Sequence, residues 1–230
     1  MKNRKLIIVG DTAFAEIAHE YFEVDSDYQV VAFSVERDYL KQQRLHELPV
    51  VAFEELEQHF DPATHAVFVA ATYTQFNRLR ARLVAAARDK GFSLASYISS
   101  RAFVWRNVQL GEHCFIFEDN TVQPYVSIGD NVVLWSGNHI GHHSRIRDNC
   151  FISSHVVISG FCDIGENSFL GVNATLANNL TIGADNWIGP NTSVMKSTAP
   201  GAFYKTSQPE AARISAPAFF RVTPVTAAND

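Results

Sequence analysis

Residues 140–165 read IGHHSRIRDNCFISSHVVISGFCDIG, with isoleucine at 140, 146, 152, 158 and 164. Carried outward, the same six-residue step lands on Val104, Leu110, Ile116, Val122, Ile128 and Leu134 on one side and on Leu170, Leu176, Ile182, Ile188 and Val194 on the other. All sixteen positions are Val, Leu or Ile in a chain that is 47% hydrophobic, odds on the order of one in 10^5, so the repeat is genuine. Glycine follows the anchor at Gly111, Gly129, Gly141, Gly165, Gly171, Gly183 and Gly189. Compact side chains follow four residues after it, at Cys114, Asn120, Asn138, Ser144, Cys150, Cys162, Ser168 and Ala174.

Six residues are too few for a helical repeat but suit one short strand and a corner, the anchor pointing inward and the glycine relaxing the turn. Three units close a triangular coil of eighteen residues, and coils stack at strand spacing, about 4.8 Å. One coil cannot bury its own anchors, so stacking is obligatory. Five coils are expected: 104–121, 122–139, 140–157, 158–175 and 176–193. The pattern resembles the hexapeptide-repeat, left-handed parallel β-helix of bacterial acyltransferases. The resemblance implies the left hand, because crossovers between parallel strands are ordinarily right-handed.

The region before the repeat has a different rhythm. Apolar runs at 5–9, 28–33, 49–53, 65–71 and 92–97 read as five strands. Helical spacing falls at 13–22, 37–46, 54–60 and 75–90. Strands alternating with helices predict an open parallel sheet covered on both faces. The fold class is therefore α/β plus all-β: a small Rossmann-like domain over 1–98, a left-handed β-helix over 99–205 and a tail over 206–230.

Composition narrows the partners. A net charge of −5 gives no basic surface for nucleic acid or anionic lipid. No eighteen-residue apolar run suggests a membrane span. The apolar run at the N-terminus breaks at Gly10-Asp11, as a first buried strand would, and a cytoplasmic protein is the simplest account. The three cysteines fall on the compact repeat position and read as core residues.

After the first strand the chain reads Gly10-Asp11-Thr12-Ala13-Phe14-Ala15, with Thr12 and Ala15 where a dinucleotide fingerprint has glycine. That disfavours NAD or FAD. A helix N-terminus there still offers free amides to a phosphate, and Ser34 and Glu36 close the second strand where an acid reaches a ribose. Capping of the first helix by Asp11 and Thr12 explains the same residues without a ligand.

Four of the nine histidines lie within seventeen residues: His139, His142, His143 and His155. In the repeat frame His142 occupies a corner, and Gly160 is its equivalent eighteen residues on. An imidazole beside a backbone amide bared by glycine is what acyl transfer needs, a base for the nucleophile and a donor for the oxyanion. Imidazole chemistry near neutrality suits the base.

The segments 141–144 and 151–160 resemble the active-site coil of the PglD/NeuD-type sugar acetyltransferases, and the likeness extends over residues 1–205. It implies an acetyl-CoA-dependent homotrimer that N-acetylates a nucleotide-linked amino sugar for surface polysaccharide or glycan synthesis, without a metal. It implies His142 as base, Gly160 as the amide facing the thioester, and His143 in the place where that group often has a glutamate partner. His155, Gly160, Gly171, Asn173 and Asn178 are the candidate coenzyme contacts. Gly10, Asp11, Thr12, Ser34, Glu36 and Asn138 are the candidate substrate contacts. Three rivals stand beside this reading: a sugar O-acetyltransferase of the sialic-acid type, a non-catalytic trimeric scaffold, and a zinc-dependent β-helix enzyme. The histidine spacings of three, one and twelve do not match the His-x4-His pair of the last.

Overall fold

A computed structural model describes residues 2–206 and 210–222. The N-terminal part builds β1 (Arg4–Val9), α1 (Ala13–Val24), β2 (Tyr28–Val35), β3 (Arg44–Leu45), β4 (Leu48–Ala52), α2 (Leu56–His59), β5 (His65–Val69), α3 (Arg78–Asp89) and β6 (Ser93–Leu94). The strand order is β3-β4-β2-β1-β5-β6, parallel throughout except for the β3–β4 pair. The chain leaves β1 toward β2 on one side and later returns to β5 on the other, so β1 borders the switch point where open sheets bind ligands.

Two local expectations fail. The helix expected over 37–46 is a single 3-10 turn, Arg37–Tyr39, followed by irregular chain and the first strand and turn of the β3–β4 hairpin. His46 and Glu47 turn that hairpin with positive φ. The helix expected from Gln75 begins only at Arg78, because Gln75, Phe76 and Asn77 all adopt left-handed backbone, at φ of 51°, 54° and 66°.

Strand pairs eighteen residues apart then stack into three parallel faces. The first face runs from Tyr97–Ile98 to Phe203–Tyr204, the second from Phe103–Val104 to Ser193–Val194, the third from Gln109–Leu110 to Thr181–Ile182. Tyr97, expected as the end of the fifth strand of the first domain, is with Ile98 already the first rung of the helix and pairs with Phe115–Ile116. The anchors from Ile116 to Val194 are buried in one apolar column, with Val104 and Leu110 partly covered at its open end. Cys114, Cys150 and Cys162 line the same column as free thiols.

The corners work differently from expectation. The left-handed residue is the third after the anchor and is mostly Asn, Asp or His, from His113 through Asn191. Asn and Asp tolerate that region best after glycine. The glycine directly after the anchor serves the stacking of coils instead. A Cβ on Gly141 would lie 2.5 Å from the Gly160 nitrogen and from the Ser159 carbonyl carbon, inside any permitted contact.

The sheet's two faces are covered by different partners. One packs under α2 and α3. The other, expected under helices alone, packs on α1 and on the aromatic first face of the β-helix. Phe14 meets Phe115 at 5.6 Å and Trp135 at 5.8 Å, and Phe22 meets Phe115 at 5.8 Å. Arg80, fully buried on α3, pins the domains. It donates to Asn131 Oδ1 at 3.0 Å, to the Asn131 carbonyl at 3.1 Å and to the Thr72 carbonyl at 3.1 Å. Asn77 adds a bond to the Asn167 carbonyl at 3.0 Å. Among the described residues no helix is long and apolar enough to cross a membrane. Of the tail expected over 206–230, residues 207–209 and 223–230 lie outside the described residues. Phe219 and Phe220, at the end of a short helix (Ala216–Phe219), are exposed.

Candidate active site

The corner between the second and third faces carries the histidine pair. His142 lies over Gly160 one coil on: a Cβ on Gly160 would sit 2.9 Å from His142 Cε1 and 3.0 Å from Nε2, so only glycine leaves room for the ring. The His142 amide donates to Gln123 Oε1 at 2.9 Å. His143 takes the left-handed corner position, at φ 58°, and its ring is clamped between Tyr125 at 4.7 Å and Phe161 at 4.8 Å. Tyr125 and Phe161 hold the same corner position one coil away on either side. The two histidines meet through Nδ1 and Nδ1 at 3.1 Å. That contact holds one proton. With it on His142, His143 accepts, and His142 Nε2 carries the free lone pair a base requires.

The Gly160 amide, expected to be bare, is engaged: it donates to Asn178 Oδ1 at 3.0 Å. Asn178 therefore belongs to the His142 corner. His155, Gly171 and Asn173 do not. They lie on the corner between the first and second faces, so within one chain the expected coenzyme contacts divide between two corners. His155 there fills the space over Gly137. Asn138 is buried, its Oδ1 accepting from the Val156 amide at 2.7 Å and its Nδ2 donating to the Trp135 carbonyl, which makes it part of the corner ladder rather than a substrate contact. Burial pushes the Cys114 and Cys150 thiols up to about 12, which removes them as nucleophiles near neutral pH.

A cavity of about 520 Å³ opens at the carboxyl ends of β1, β2 and β5. Gly10, Asp11, Thr12, Glu36, Gln75 and Arg82 contribute to its walls. Thr12 begins α1 without a side-chain cap, and its carbonyl accepts from the Ala15 and Glu16 amides. Ser34, expected in this wall, is fully buried beneath it, where its carbonyl accepts from the Gly10 amide. Arg82 pairs both guanidinium nitrogens with the Glu36 carboxylate at 2.8 and 2.9 Å and holds that carboxyl below the usual range. Neither Arg82 nor Arg80 was legible as functional, although Arg80 shares the stripe of Leu83, Val84 and Ala87, an unusual place for a charge unless it has buried acceptors.

The family described as bacterial transferase hexapeptide (six repeats) matches residues 143–178. The acetyltransferase domain of PglB from Neisseria gonorrhoeae superposes with a TM-score of 0.79 at 22% identity, over 89% of this chain and 97% of that one. A perosamine N-acetyltransferase, PerB from Caulobacter crescentus in complex with CoA and GDP-perosamine, gives 0.75 at 26% identity over 88% and 94%. The chain carries the hexapeptide repeat over residues 143–178 and shares the fold of these acetyltransferases along most of its length. WeeI from Acinetobacter baumannii shares the fold at 19% identity, with a TM-score of 0.67 over 87% of this chain and 95% of that one. No curated protein matches the chain by sequence.

Proposed function

We propose that the protein transfers an acetyl group from acetyl-CoA to the amine of a nucleotide-linked amino sugar. The observation that carries this is the His142 corner: an imidazole seated on a glycine, oriented through Nδ1 by a ring that aromatic stacking holds in place. His142 Nε2 takes the proton as the amine attacks the thioester carbon. The carbonyl electron pair moves to oxygen, and collapse expels the CoA thiolate, which recovers the proton. The cavity over β1 is suited to the nucleotide, with phosphate at the α1 amides and ribose toward Glu36. The PerB complex with CoA and GDP-perosamine supports both substrate classes.

The division of expected coenzyme contacts between two corners supports a homotrimer. A second copy that sets its His155 and Asn173 corner against the His142 corner would complete one cleft. The outward residues of the second face, Phe103, Thr121, His139, Val157, Thr175 and Ser193, carry no carboxylate, lysine or arginine and suit such an interface. The test is CoA release from acetyl-CoA with a panel of nucleotide-linked amino sugars beside the matching hydroxy sugars. Release with an amino sugar is expected. Release only with hydroxy sugars would replace the N-acetyl reading by the O-acetyl one, and no release with any would refute both.

A further inference from the structure

We propose that Asn178 supplies the oxyanion hydrogen bond at the His142 corner, in place of the Gly160 amide. This rests on the acetyl-transfer reading above and names a further catalytic residue within it. The Gly160 N–H has one hydrogen, and it is committed to Asn178 Oδ1 at 3.0 Å. Because an N–H can donate only to oxygen, this bond also fixes which way the Asn178 amide faces. Its oxygen is turned onto Gly160 and its NH₂ outward. Asn178 is exposed, and among the described residues its Nδ2 has no protein partner.

The same ladder contact occurs elsewhere with different chemistry. Asp130 Oδ1 accepts from the Glu112 amide at 2.8 Å, and Asp148 Oδ1 from the Asp130 amide at 2.9 Å, each reaching back eighteen residues. A carboxylate therefore serves the stacking of coils, and it is acceptor-only. At the His142 corner the ladder is closed by an amide, which does the same job and leaves two donor hydrogens over. Those hydrogens flank the residue on which His142 sits, so the base and the spare donor share one corner. In the transfer step, the thioester carbonyl oxygen takes the electron pair displaced by the attacking amine. The Asn178 N–H holds that oxygen until the C–S bond breaks. The pair then returns to re-form the carbonyl, and the proton taken by His142 passes to the departing thiolate. A single side-chain amide in this role is worth about 10²–10³ in kcat.

Asn178→Ala and Asn178→Asp in the full chain separate the possibilities, with kcat and KM read from CoA release in the presence of the amino sugar the parent accepts, and from slow acetyl-CoA hydrolysis without it. Asn178→Ala removes the donor and frees the Gly160 amide. Asn178→Asp keeps the ladder acceptor and removes the donor. Both are expected to melt like the parent and to lose about 10²–10³ in kcat, with the KM for acetyl-CoA within a few-fold. Unchanged or higher kcat in Asn178→Ala would mean that the freed Gly160 amide is the donor. Retained kcat in Asn178→Asp would mean that only the ladder bond matters. Either result overturns the proposal while the acetyl-transfer reading stands. A parent that neither binds acetyl-CoA nor releases CoA from it would remove that reading, and this proposal with it.

Discussion

Acid should loosen the joint between the two domains, and one buried histidine sets how steeply. His113 sits at the start of the β-helix with its ring stacked on Phe68 at 4.7 Å. Its Nε2 accepts from the Val69 amide of β5 at 2.8 Å, which fixes the proton on Nδ1, where it donates to Asn131 Oδ1 at 2.9 Å. Asn131 Oδ1 also receives Arg80. Burial first, and then the Arg80 charge, push His113 down to about 3. The unfolded chain binds this proton as pH falls through about 6.5, the folded chain not until about 3, so the stability due to the neutral ring is complete above pH 6.5 and is lost as pH falls. At pH 4.5 the loss is about 2 pH units at 1.36 kcal/mol each, roughly 3 kcal/mol. His113→Gln is the matching perturbation, because glutamine accepts and donates without titrating. Urea midpoints from pH 8 to pH 4.5 should show His113→Gln at or below the parent at pH 8 and above it at pH 4.5. Carboxylates titrate in both proteins and cancel in the difference. Parallel curves for the two would refute the reasoning, since the ring would then not be what the proton attacks.

Replacing Arg80 by Met should cost several kcal/mol in urea unfolding at pH 7.5, because two or three buried carbonyls lose their donor at about 1–3 kcal/mol each. Ile152→Asp buries an unpaired carboxylate between Leu134 and Leu170 and should lower stability by a similar amount. A parent-like melting temperature would break the six-residue register. Glu36→Gln should weaken binding of the nucleotide sugar about tenfold by calorimetry, and leave the KM for acetyl-CoA unchanged, if Glu36 holds the ribose.

The β-helix was legible because its constraint is local and periodic: an anchor every sixth residue must be buried, and a one-residue slip would expose all of them. The interface between the domains was written in the same rows at a longer period. The residue just before each first-face anchor reads Tyr97, Phe115, Val133, Phe151, Phe169, Trp187, a strip at eighteen-residue spacing that is aromatic at every place but Val133. A six-residue frame averages that strip away. The hairpin at 44–49 and the left-handed run at 75–77 were illegible for another reason. Both meet long-range partners that no local propensity contains: His46 Nε2 lies 3.0 Å from Glu16 Oε2, and Asn77 donates to the Asn167 carbonyl. At the site, the frame correctly paired His142 with Gly160. It could not see the side chain of Asn178 closing on the glycine amide, because one coil's corner says nothing about the rotamers of the next. Ser34 and Asn138 misled because polar residues at strand ends and corners serve backbone bonding as readily as ligands.

The direct test is kcat for His142→Ala against the parent, measured by CoA release with saturating acetyl-CoA and the accepted nucleotide amino sugar. A positioned base contributes about 10²–10⁴ in rate, so kcat should fall by that factor with the KM for acetyl-CoA within a few-fold. A variant that folds like the parent and keeps its full kcat would contradict the assignment of the base to the His142 corner.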